Sequence, residues 1–123
     1  MDKFIFIADQ MAAIDVPYEL MEWTATVKYP YFVGEFTEVP VTTGDGLEES
    51  TLLLTGFHRG SYLDLEKIKE KIKHHFHPRH GRHGSTKHGQ IVAFYDGSLY
   101  LPTGEAGLKK IQINITIKEW RND

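Results

Sequence analysis

Ile111-Gln112-Ile113-Asn114-Ile115-Thr116-Ile117-Lys118 decides how this 123-residue chain reads. Isoleucine alternates there with polar side chains, and a period of two places all four isoleucines on one face of a strand. The pattern predicts a central strand with one buried and one polar face. Such a face needs a cover, and the chain supplies helices for it. Ser61 with Asp64 three residues on is a capping-box pair with Asp in place of the usual Glu. Leu65, Ile68, Ile72 and Phe76 then form an apolar stripe at helical spacing. Acids lead and lysines follow, which suits the helix dipole, and Asp64–Lys67, Glu66–Lys69 and Glu70–Lys73 fall at (i, i+3). A first helix is expected from Asp2, with Phe4, Ile7, Ala8 and Met11 recurring at three and four, though a strand through Phe4 to Ala8 competes. Asp15-Val16-Pro17 ends that element, because a residue before proline resists the helical region.

Further strands are expected on either side. Tyr18 to Val27 reads as short and irregular, and Tyr29 to Phe36 as an aromatic strand that Pro30 places at an edge or a strand start. Thr42-Thr43-Gly44-Asp45-Gly46 is a turn or loop, extended by Glu48 and Glu49. Thr51 to Phe57 has the length and threonines of a strand. Asp96-Gly97 between Gln90–Tyr95 and Ser98–Leu101 predicts a two-residue hairpin, with Phe94 opposite Leu99 and Val92 opposite Leu101. These elements sum to an α+β fold: a single domain over 1–123, with a largely antiparallel twisted sheet of four to five strands and two helices on one face.

Composition bounds the function. Apolar content of 41% and charged content of 25% are those of an ordinary globular domain, so neither disorder nor a membrane protein is indicated. No apolar run approaches the roughly 18 residues of a membrane span. Phe4 to Ala8 is apolar but short, lacks a basic leader, and reads as mature structure instead of a signal peptide. The absence of cysteine excludes disulfides, thiolate nucleophiles and thiolate zinc sites. Charge is sharply segregated: Lys67 to His88 holds seven Lys/Arg and one acid, Glu70, leaving seven of the 14 basic and 16 of the 17 acidic residues elsewhere. Six of the seven histidines also lie between His74 and His88. Segregation of this kind acts on partners, not on the fold.

Pro78, Gly81, Gly84 and Gly89 make this histidine-rich tract, about 77–89, a flexible basic loop. His74, His77, His80 and His83 have metal-ligand spacing, yet no carboxylate between His74 and His88 would orient them, so a solvated loop is the stronger reading and no cofactor is expected. Arg79-His80-Gly81 and Arg82-His83-Gly84 spell the triplet of histidine phosphatases, but they follow a helix end where that family has a hydrophobic strand. Gly84-Ser85-Thr86-Lys87 has phosphate-loop composition without its order. His58, Ser61 and Asp64 have the residue types of a triad, but Ser61 and Asp64 are explained by the helix cap. Lys73, Arg79, Arg82 and Lys87 are the candidate interaction residues, against an acidic neighbouring subunit or, nonspecifically, against nucleic-acid phosphates. Tyr29, Tyr31, Phe32 and Phe36 read as core packing with one exposed edge, or as a docking patch.

Three stretches carry a resemblance: Tyr29-Pro30-Tyr31-Phe32-Val33-Gly34-Glu35, Leu54-Thr55-Gly56-Phe57-His58-Arg59-Gly60 and Leu108-Lys109-Lys110-Ile111-Gln112-Ile113-Asn114. With the helix between the second and third, the chain resembles the tail-terminator, or tail-completion, family of small head–tail joining proteins of long-tailed bacteriophages and prophages. The resemblance implies a structural, non-enzymatic α+β subunit. It would assemble in the bacterial cytoplasm into a homo-oligomeric ring, bind tail-tube and head-connector proteins, and reside in the virion. No catalytic residue is carried over. The alternative expectation is a small accessory domain contacting nucleic acid or metal through the His/Arg-rich loop.

Overall fold

The computed structural model describes residues 2–39 and 46–121, and so most of the turn expected at Thr42–Gly46 lies outside the described residues. Among the described residues two helices and six strands follow in the order α1 (Asp2–Ala13), β1 (Tyr18–Leu20), β2 (Tyr31–Val39), β3 (Leu47–His58), α2 (Tyr62–His75), β4 (Arg82–Thr86), β5 (Gly89–Leu101) and β6 (Lys109–Arg121). They form an α+β fold around one sheet of strand order β1-β2-β3-β6-β5-β4. The isoleucine strand, β6, is internal, hydrogen-bonded to β3 on one side and β5 on the other. Ile111, Ile113, Ile115 and Ile117 are all at 0% exposure.

Register sets which side chains share that face. Gly56, Leu54, Leu52 and Ser50 of β3 lie opposite Ile111, Ile113, Ile115 and Ile117, and Ala93 and Tyr95 of β5 oppose Ile117 and Ile115. Both helices cover this side: Phe6, Ile7 and Met11 of α1 and Leu65 and Ile72 of α2 join the strand residues in one core, together with Phe76. Each such side chain contributes about 1.5–3 kcal/mol on burial as an upper figure.

The sheet curls, and α1 explains how. The helix touches both edge strands, β1 and β4. Phe4 packs on Phe36 with ring centroids 4.8 Å apart. Phe6 lies over Gly84 so closely that an added Cβ would stand 2.5 Å from its ring. Lys3, nearly buried, donates to the Glu38 carboxylate at 2.6 Å. The apolar face of α1 is shifted one position from the expected stripe: Phe6 is buried while Ala8 is exposed.

Several expectations need correcting. The sheet has six strands, not four to five, and is mixed, because β1 pairs parallel with β2. Phe32 N–H donates to the Pro17 carbonyl and Met21 N–H to that of Gly34, which fastens this short edge. Regular strand stops at Leu20 instead of reaching Val27. Asp96-Gly97 closes no hairpin. β5 runs through it, with Tyr95 opposite Ile115 and Ser98 opposite Ile113, so two residues face the single Asn114. That is a β-bulge, which Gly97 permits at a φ of 109° and Thr116 secures by donating to Asp96 at 3.0 Å. Pairing along the whole of β6 buries more than folding β5 on itself. The tract expected as loop contains β4, joined to β5 across the two-residue turn Lys87-His88. Glu48 and Glu49 belong to β3, near Arg121 (3.6 Å) and Lys118 (3.5 Å).

α2 begins as expected: Ser61 accepts from the Asp64 amide, and the Asp64 carboxylate accepts from the Ser61 amide. Of the three expected ion pairs, Glu66–Lys69 forms at 2.7 Å, Lys69 also reaches Glu70 at 3.3 Å, and Asp64 turns to His58. No helix of the described residues is long and apolar enough to cross a membrane. Truncating the central face tests this arrangement: Ile115→Ala should cost about 2–5 kcal/mol in urea unfolding, whereas Gln112→Ala on the opposite face should stay within about 0.5 kcal/mol. Equal effects at the two positions would contradict the assignment of faces.

Candidate functional site

The cationic tract is built on the end of α2. Lys73, His74 and His75 occupy the last turn, where the helix dipole favours positive charge. Phe76 caps the helix, its N–H bonded to the Ile72 carbonyl and its own carbonyl accepting from Tyr95 of β5 at 2.9 Å. With its ring wholly buried, Phe76 anchors everything that follows.

Beyond it the backbone turns on His77. The Nδ1 atom of His77 accepts from the amides of Arg79 (3.1 Å) and His80 (3.2 Å). The Gly81 amide donates to the His77 carbonyl at 2.9 Å. The rings of His77 and His80 stack at 4.5 Å, and His83 donates from Nε2 to the His80 carbonyl at 2.9 Å. This is a hydrogen-bonded corner, with neutral imidazole supplying an acceptor that imidazolium lacks. The His77 pKa is held below its ordinary value, first by lost hydration and then by His80, Arg79 and His74. His75 is lowered by burial and then by Arg82 and His74. Its Nε2 donates to Gln10 Oε1 at 2.7 Å, and Arg82 Nε reaches the same oxygen at 3.3 Å, so one side chain of α1 ties α2 to β4.

The four candidate interaction residues are thereby separated. Arg79 and Arg82 belong to the histidine corner, Arg79 exposed and Arg82 directed at Gln10. Lys73 turns away, its ammonium 5.7 Å from the Tyr95 ring centroid. Lys87 stands at the other end of β4, in a cleft against α1 that also exposes Asp2 and Asp9. His74, His77, His80 and His83 do not converge: among the described residues no three His, Asp or Glu side chains come together to hold a metal ion. The Ser61 hydroxyl serves the helix cap, and the His58 ring meets Asp64 at 3.2 Å. The Asp64 carboxyl is held below its usual range, with His58 the leading cause. Gln10 was not anticipated, since nothing in its local sequence marks it as the residue on which two other elements meet.

Acid accumulates at the opposite edge. From Asp15 to Glu38 the chain has five acidic residues and one lysine. Glu19 of β1 accepts from the Thr24 hydroxyl at 2.6 Å, the first cause of its lowered pKa, while Glu22 is exposed. Strand order places β1 and β4 at the two edges, so the acidic and basic segments bound the sheet on opposite sides.

The His77 corner should respond to acid with a definite sign. A pKa lowered in the fold means that the unfolded chain binds more protons as pH falls below about 6.5, so stability rises with pH through that window and is lost on acidification. In amide NMR spectra the Arg79 and His80 resonances should move with a midpoint below 6.5. In His77→Asn, whose carbonyl accepts without titrating, that movement should be largely abolished, and an unchanged titration would refute this role for Nδ1. No protein-family model matches the chain, and no curated protein does.

Proposed function

We propose that this protein is a structural subunit of the head–tail junction of a long-tailed bacteriophage or prophage, a tail-terminator-like protein that assembles into a ring. It closes the tail tube and meets the head connector, and it works by assembly, without chemistry on a small molecule. The observation that carries this reading is the division of charge between the two edges of one sheet: Arg79, Arg82 and Lys87 at β4, Glu19 and Glu22 at and after β1. A molecule with unlike edges favours head-to-tail contact between copies, and such heterologous contacts close into rings when the rotation allows. Edge strands also leave backbone groups available for pairing across subunits. The three stretches that carry the family resemblance support the reading in space as well. They lie on β2, β3 and β6, and Tyr31, Phe57 and Lys110 stand side by side across those strands.

Sedimentation velocity across a concentration series tests it. The native chain should form a discrete oligomer that dissociates as salt rises, since surface charge is screened within about 10 Å at 0.1 M. The double variant Arg79→Glu, Lys87→Glu should remain monomeric, and adding Glu22→Lys should restore assembly in part. A monomer up to millimolar concentration, or retention on duplex DNA that is lost in the double variant, would turn the argument from subunit contact to a nucleic-acid accessory role.

A further inference from the structure

The convex face of the sheet, opposite the helices, carries a row of aromatic rings with cations laid over it. Phe32, Gly56 and Ile111 are buried on the core side, so their neighbours Tyr31, Phe57 and Lys110 project to the other side, where neither helix lies. The Tyr31 and Phe57 rings stack at 5.2 Å with 25° between planes. Trp23 and Tyr29, from the segment between β1 and β2, meet Tyr31 at 5.0 and 5.7 Å. The Arg59 guanidinium lies 5.4 Å from the Tyr29 centroid and the Lys110 ammonium 5.8 Å from that of Phe57. Tyr29 is 37% exposed, and Lys28 beside it is exposed as well. Four acids come near in sequence or space: Glu105 accepts from Arg59 and Glu19 from the Thr24 hydroxyl, both at 2.6 Å, Glu22 precedes Trp23, and Glu35 projects from β2 on the same face.

Flat rings answer the faces of bases, and cations interleaved with them answer phosphates spaced along a chain. We propose that this face binds single-stranded nucleic acid, with unpaired bases stacking against Tyr29, Tyr31 and Phe57 and the backbone taking Arg59 and Lys110. Sequence-tolerant recognition of single strands uses this combination of stacking platform and positive charge. A duplex hides the base faces and is the poorer ligand. Proline-rich peptides also use aromatic grooves, but the cations over these rings select an anionic polymer. The surface is distinct from the histidine corner; it adjoins the acidic β1 edge that the assembly reading uses, and its aromatic contacts do not depend on that reading.

Fluorescence anisotropy of a labelled oligothymidylate, with quenching of tryptophan followed in parallel, tests the proposal at protein concentrations set by the titration. The native protein should bind the single strand at low salt, more tightly than a duplex of equal length. Its affinity should fall with a log–log salt slope of roughly −1.4, about 0.7 for each of the two phosphates taken by Arg59 and Lys110. Tyr29→Ala and Lys110→Gln should each weaken binding about tenfold while leaving the melting temperature near that of the native chain. Arg79→Ala with Lys87→Ala should leave it unchanged. Absence of binding, equal affinity for the duplex, or indifference to both Tyr29→Ala and Lys110→Gln would overturn it.

Discussion

Burial of four isoleucines on one side of β6 is the constraint on which the other elements depend. The strand lies inside the sheet, so both of its backbone edges are paired, and its apolar side must be covered over its full length. β3 and β5 extend that apolar surface laterally with Leu52, Leu54, Ala93 and Tyr95. Two helices then close it: α2 beneath β6 and α1 across the curl between the edge strands. Because α1 reaches both β1 and β4, the curvature of the sheet and the position of its edges are set by one helix.

That arrangement determines what remains on the surface. The cationic segment cannot be a free loop, because Phe76 is driven into the core and Tyr95 holds its carbonyl. His77 and His80 fold over the anchored end, and β4 continues along β5. Arg82 and His75 share Gln10, which fastens the cationic edge to α1. The histidines therefore serve first as hydrogen-bonding groups of a corner, with the arginines distributed around it.

The two faces of the sheet are consequently unlike. One is dry and filled by the helices. The other keeps threonines, Gln112 and Asn114 along its length and gathers Trp23, Tyr29, Tyr31 and Phe57 at the end where β2, β3 and β6 align, with Phe94 and Trp120 apart from them. Charge differs between the edges, and aromatic character differs between the ends of the outer face. A small chain with such unlike borders presents a different chemistry at each, which is the physical content of both proposals.

Much of this was legible in the residues. Period-two isoleucines identified β6, Ser61 with Asp64 identified the start of α2, and the Leu65–Ile72–Phe76 stripe identified its buried side, because each depends on neighbours within a few positions. The count of basic and acidic residues showed segregation without showing where its poles lie. Only tertiary pairing decided that Asp96-Gly97 is a bulge and not a turn, since β6 is long enough to pair with both halves of β5. Tertiary pairing likewise made a strand of Arg82–Thr86, set β1 parallel to β2, and brought Gln10 to His75 and Arg82 across more than sixty residues. Local signals encode the conformation of a segment. Its partners are chosen by whatever buries the most apolar surface and leaves the fewest backbone groups unpaired, and that competition is settled across the whole chain.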